Sequence, residues 1–260
     1  MLGVWGPQGT REMAADDQWK NPVRWNKAAR AAGRRDRVFC ASLADVFEGP
    51  ETMPGDIDAR GHGPALVGGL HELPTLGSRI VATARERLFQ LILDTPHLDW
   101  LLLTKRPQHV LPILGTWLHF AGGGWAKQSW PANIWVGASV ENQARAEERC
   151  PHLMRIRAAG CRVVFMSCEP LLGGLDVRPW LDRDRGINWV IAGGESGAIE
   201  KIRPLDLMHA RTLRDQCGDA GVPYWFKQIG HGVVGLDYKG KGEDIEDAPP
   251  DLRVRELPSP

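Results

Sequence analysis

Three glutamates stand directly after apolar runs: Glu141 in IWVGASVEN, Glu169 in VVFMSCEP and Glu195 in WVIAGGESG. Glutamate is a poor helix cap, and its charge is costly to leave against a buried strand without a partner. Lys105 and Arg106 in LLLTKRP, and Lys227 in WFKQIG, occupy equivalent positions. Such a set neutralises itself only across a shared pocket. Its carboxylates can hold a divalent cation or the amino group of a zwitterion, while its cations face a carboxylate or phosphate. Ser42, Asp45, Ser139, Asn142, Ser196 and Gln228 end the same runs. For Asp45, Asn142 and Ser196, capping a helix is the competing role. Gly193 and Gly194 permit close approach of backbone to a ligand.

What unites these positions is the elements they terminate. Six runs, 38–46, 100–104, 134–140, 162–168, 189–192 and 223–227, are nearly continuous in apolar or β-branched residues. That pattern fits parallel strands covered on both faces. Between them, 78–94, 142–159 and 204–221 have helical period, with Pro151 expected to kink or split the second. After a long Gly/Pro-rich first interval the runs recur at roughly the spacing of one βαβ unit, about 30 residues. An α/β fold follows, either an open doubly wound sheet or a (βα) barrel, complete or partial. In both, loops and helix N-termini converge on a ligand at the C-terminal rim of the sheet. One domain over 38–235 is expected, with an N-terminal extension at 1–37 and a peripheral tail at 236–260.

Composition narrows the partners. The 260 residues carry 32 basic and 32 acidic side chains, a formal net charge of zero. Coating nucleic acid or an anionic membrane requires an excess of cations, so net charge gives neither partner support and leaves only a local basic groove open. No apolar stretch long enough for a signal peptide or spanning helix is present, and a cytoplasmic location without a membrane partner is expected. Cys40, Cys150, Cys161, Cys168 and Cys217 are scattered, without CxxC, and read as small buried hydrophobes. No Walker A sequence, GxSxG elbow or HExxH occurs, and of the histidines only His231 stands close after a strand end. Eleven tryptophans accompany two tyrosines. Trp5, Trp19, Trp25, Trp125 and Trp130 are expected in loops.

The ordered blocks VFCASLADVFEG, LLLTKRP, IWVGASVENQ with AEER, VVFMSCEPLLGGLD, WVIAGGESG with a following RP, LRDQC with AGVP, and WFKQIG resemble a phage protein family. It is named after mycobacteriophage gene products thirty-seven and sixty-eight, and the match runs from about Trp19 to the tail. The resemblance implies a radical S-adenosylmethionine-like partial (βα) barrel with outer helices. It also implies a CxxxCxxC loop ligating a [4Fe-4S] cluster, whose open iron binds and reductively cleaves S-adenosylmethionine. In members that loop precedes the block matching Trp19 to Phe47. These 260 residues hold no CxxxCxxC, so an N-terminally truncated or a cluster-free member is expected, a radical enzyme only in full-length form.

On this resemblance Gly193, Gly194 and Glu195 with Glu169 are expected to meet the amino and ribose groups of S-adenosylmethionine. Lys105, Arg106 and Lys227 would meet a substrate anion, and Pro170 belongs to the same blocks. The ligand class is small and anionic or zwitterionic. Nucleic acid fits a phage setting and stacking tryptophans, without support from net charge. A non-catalytic binding or regulatory barrel, and a divalent-metal hydrolase or isomerase on Glu141, Glu169 and Glu195, are the alternatives.

Overall fold

The six apolar runs fold as β1 Asp36–Cys40, β2 Leu98–Thr104, β3 Ile134–Ser139, β4 Val164–Cys168, β5 Trp189–Gly193 and β6 Tyr224–Gln228. The computed structural model describes residues 15–40, 45–48, 76–122, 130–197, 200–234 and 242–259. The strands pair in chain order, β1-β2-β3-β4-β5-β6, every pair parallel. A doubly wound sheet reverses its order at a switch point, whereas consecutive order is that of a (βα) barrel. The sheet curls into a half-barrel with helices between its strands.

Five helices accompany it: α1 Asp16–Ala31, α2 Leu76–Asp94, α3 Val110–Gly122, α4 Gln143–Ala158 and α5 Leu207–Asp219. Pro151 does not split α4, which is continuous. Proline removes one backbone N–H. The buried Ala146, Arg149, Cys150, Leu153 and Ile156, spaced along one face on both sides of it, keep the two halves packed against the sheet. Asn142 caps α4 by accepting from the Arg145 amide at 3.1 Å, and Asp206 caps α5 by accepting from the Met208 amide at 2.8 Å. Trp19 and Trp25 lie on α1 instead of in loops. None of the described helices is long and apolar enough to cross a membrane.

Both faces of the sheet are apolar, which is why the runs show no alternation. Val136, Ala138, Val164, Met166, Val190 and Ala192 belong to the core beneath the helices. Leu101, Trp135, Val163, Phe165, Trp189 and Ile191 form a second, concave cluster, against which Leu103 and Trp225 pack. Trp189 stands edge-on to Trp135 and to Trp225, with ring centroids 6.0 and 6.3 Å apart. Part of the tryptophan excess is therefore the lining of a half-barrel. Gly137 serves the same lining: a Cβ there would stand 2.2 Å from the Phe165 ring.

The two edges differ. The β6 edge is occupied by residues 254–256, which run antiparallel to it: the Phe226 amide donates to Val254 O at 2.8 Å and the Glu256 amide to Tyr224 O at 2.9 Å. Trp189 Nε1 donates to Glu256 O at 3.0 Å, tying this segment to the concave floor. At the other end, among the described residues, β1 pairs with β2 alone.

Candidate functional site

Alternation along the strands builds the site from the floor upward, because residues two apart share a face. From Trp135 the concave positions of β3 continue through Gly137 to Ser139 and, just past the strand, Glu141. From Phe165 those of β4 continue to Ser167 and Glu169. Ser139 and Ser167 are direct partners in the β3–β4 register, and both are buried. Leu103 leads likewise to Lys105, and Trp225 to Lys227. The half-barrel therefore has an aromatic floor, a band of two serines and a charged mouth.

Each mouth glutamate has its own cation. Glu141 Oε2 accepts from Arg149 Nη1 at 3.0 Å, while Lys105 Nζ lies 3.7 Å from Glu141 Oε1. Glu169 takes both oxygens to Lys227 Nζ, at 2.7 and 2.9 Å. Glu195 is gripped by Arg203, whose Nε and Nη2 donate at 2.9 and 2.7 Å and whose amide adds a third bond at 2.9 Å. That guanidinium holds the Glu195 carboxyl below the usual carboxylate range. Glu141 thus meets two cations, Arg149 and Lys105, while Glu169 and Glu195 meet one each.

Other sequence candidates hold the fold of the rim. Asp45 accepts from Thr104 Oγ1 at 2.6 Å and from the amides of Lys105 and Phe47, each at 3.0 Å, pinning the chain after β1 to the end of β2. Arg106 lies 3.9 Å from Asp45 and 3.7 Å from Glu48. Gln228 Nε2 donates to Gly194 O and to Ser196 Oγ. Gly193 O accepts from the Leu171 amide at 2.9 Å, and a Cβ on Gly194 would stand 2.0 Å from Ile229 O, so the chain itself occupies the space those glycines leave. The Glu169–Pro170 peptide is cis. His231 Nδ1 accepts from the Gly197 amide at 3.0 Å. Ser42 lies outside the described residues.

The cysteines stand apart from the mouth. Cys150, Cys161, Cys168 and Cys217 are buried in the core beneath the helices. Burial pushes the thiols of Cys150, Cys161 and Cys217 up to about 12 and that of Cys40 up to about 11. Scattered through the core, with no three of them brought together, the described cysteines as they stand do not fit a [4Fe-4S] cluster. Among the described residues no three His, Cys, Asp or Glu side chains are placed to hold a metal ion.

Sequence reasoning missed Arg149 and Arg203. Arg149 reaches from α4 under the rim, donating to Ser139 O at 2.6 Å as well as to Glu141, and its buried Nε has no hydrogen-bond partner. The one legible signal was its place in AEER, a charged residue at a buried helical spacing.

No curated protein and no solved structure matches the chain. A family model described as a protein of unknown function, DUF5131, matches residues 75–247, which span α2 through β6 and hence Lys105, Glu141, Glu169, Glu195 and Lys227, and the chain belongs to that family.

Proposed function

We propose that the mouth of the half-barrel binds a small anionic or zwitterionic molecule. The observation that carries this reading is Lys105. Its side chain is 68% exposed and 3.7 Å from Glu141, a carboxylate that Arg149 already holds at 3.0 Å. Lys105 is the second, more distant cation on Glu141. It stands free to take a ligand carboxylate or phosphate, and a charge-assisted bond of that kind is the strong class of hydrogen bond. Glu169, facing the same mouth, accepts a ligand amino group if Lys227 turns aside.

S-adenosylmethionine is the named candidate, supported by the resemblance of the rim blocks to radical S-adenosylmethionine-like phage proteins and by the match between its amino-acid end and this charge set. Bound, it would supply a sulfonium carbon for transfer or cleavage. Lys105 would hold its carboxylate, Glu169 its ammonium, and the apolar floor beneath Ser139 and Ser167 would limit water around them. The described cysteines do not fit a [4Fe-4S] cluster, and the role of these residues is to bind.

Isothermal titration of the protein with S-adenosylmethionine tests the reading. The expected result is saturable binding that Lys105→Met weakens about tenfold, equivalent to about 1.4 kcal/mol. Absence of binding, or an affinity unchanged by both Lys105→Met and Glu169→Gln, overturns it.

A further inference from the structure

One row of concave side chains crosses the half-barrel from β2 to β6. Lys105 follows Thr104, the β2 partner of Ala138, and Ser139 follows Ala138 on β3. From there the register runs from Ser139 to Ser167 on β4, from Ser167 to Ile191 on β5 and from Ile191 to Trp225 on β6. Neighbouring strands lie roughly 5 Å apart. The row is therefore a strip that begins with an ammonium, passes two hydroxyls and ends on apolar surface.

The two hydroxyls are its unusual members. Ser139 is 5% exposed and Ser167 2%, yet among the described residues neither hydroxyl has a hydrogen-bond partner. A hydroxyl taken from water without a partner costs free energy, and alanine would fill the same place without that cost. The fully buried side-chain polar atoms that lack a partner among the described residues are Arg149 Nε and Arg157 Nε. The serine hydroxyls are not among them, so they open on the space inside the mouth. Each has one hydrogen to donate, and a carboxylate offers about four lone-pair sites to receive it. Next along the row, Ile191 is 5% exposed and Trp225 is partly buried.

We propose that this row is a carboxylate subsite with an apolar end. Lys105, Ser139 and Ser167 donate to the carboxylate of a small molecule, and its apolar or aromatic body lies over Ile191 and Trp225, roughly 5 to 10 Å away. The proposal rests on the reading of the mouth as a ligand site and adds the class of ligand and the direction in which it lies. Glu141 and Glu169 stand two residues beyond the serines on the same strands. The second negative charge of a phosphate would be repelled by them, so the single charge of a carboxylate is preferred.

Isothermal titration of the full chain with 3-phenylpropionate tests this, with S-adenosylmethionine titrated in parallel. The expected result is saturable binding of 3-phenylpropionate that the Ser139→Ala, Ser167→Ala double variant weakens at least about tenfold. The alcohol 3-phenylpropanol, which keeps the ring and lacks the charge, binds wild type more weakly than the acid does. The double variant melts no lower than wild type, because it loses no hydrogen bond within the protein. A fall of more than about 3 °C would show that the hydroxyls serve the fold, and overturns the proposal. So does an affinity for 3-phenylpropionate unchanged in the double variant, or tighter binding of 2-phenylethyl phosphate than of the acid. If S-adenosylmethionine binds through Lys105 and 3-phenylpropionate does not bind, the row loses its assignment and the mouth remains a ligand site; if neither binds, both readings fall.

Discussion

Lys227 on β6 places its Nζ 2.7 and 2.9 Å from the two oxygens of Glu169 past the end of β4, reaching over the strand that lies between them. Between them β5 ends in Gly193. The pair stitches three strands together at the mouth. With its carboxylate only 19% exposed, Glu169 loses much of its solvation. Lys227→Met is expected to cost about 1 kcal/mol in urea unfolding, and the Glu169→Gln, Lys227→Met double variant less than the two single losses together. Strictly additive losses would show that the two residues do not act as a pair.

Asp45 acts at the opposite side of the mouth. Its carboxylate gathers the Thr104 hydroxyl and two backbone amides, and Thr104 is only 2% exposed. Asp45→Ala is expected to destabilise the protein by about 2 kcal/mol, because three donors lose a charged acceptor at once. Asp45→Asn retains one acceptor oxygen and should cost less. Equilibrium urea denaturation measures both.

The close approach of Gly137 to the Phe165 ring makes the concave floor intolerant of a single methyl group. Gly137→Ala is expected to lower stability by about 2 kcal/mol or more, and adding Phe165→Leu should recover at least half of that loss. Thermal unfolding of the two variants checks it. An alanine variant as stable as the wild type would mean that the ring moves freely.

How much of this was legible in the sequence depends on the kind of signal. The strands were readable because both faces of a buried parallel sheet are apolar, and Trp100 to Thr104 or Ile134 to Ser139 look the same from either side. That symmetry hid which face each side chain takes, so the concave cluster of Trp135, Phe165 and Trp189 could not be separated from the helix-facing core. Glu141, Glu169, Lys105 and Lys227 were found because a charge after an apolar run needs a partner. Their pairing was not, since Lys227 bonds Glu169 across an intervening strand. Arg203 and Arg149 come from a loop and a helix, where cations are common and position alone does not distinguish them. Gly194 is ambiguous in another way: a glycine needed for chain packing against Ile229 has the same sequence signature as one left open for a ligand.

Acid should dissect the contact between α5 and the segment after β6. Arg211 and Arg214 hold Asp251 at 2.8 and 3.0 Å and depress its carboxyl from an ordinary 3.8 to about 2. A carboxyl depressed in the folded state contributes stability above its unfolded value, and that contribution is lost as pH falls through the folded value. Wild type should therefore exceed Asp251→Asn in melting temperature at pH 6, with the gap closing between about pH 3.8 and pH 2. The pair is exposed, so the gap is small and shrinks in high salt. A gap independent of pH would place the effect elsewhere.

The central claim is that the charged mouth of the half-barrel, with the exposed Lys105 as its ligand-facing cation, is a ligand site. The most direct test is the dissociation constant for S-adenosylmethionine of wild type, Lys105→Met and Asp251→Asn, measured by titration calorimetry at one ionic strength. Binding by wild type and Asp251→Asn with equal affinity, and about tenfold weaker binding by Lys105→Met, is the predicted result. Equal affinity across all three proteins, or no heat from any of them, would contradict it.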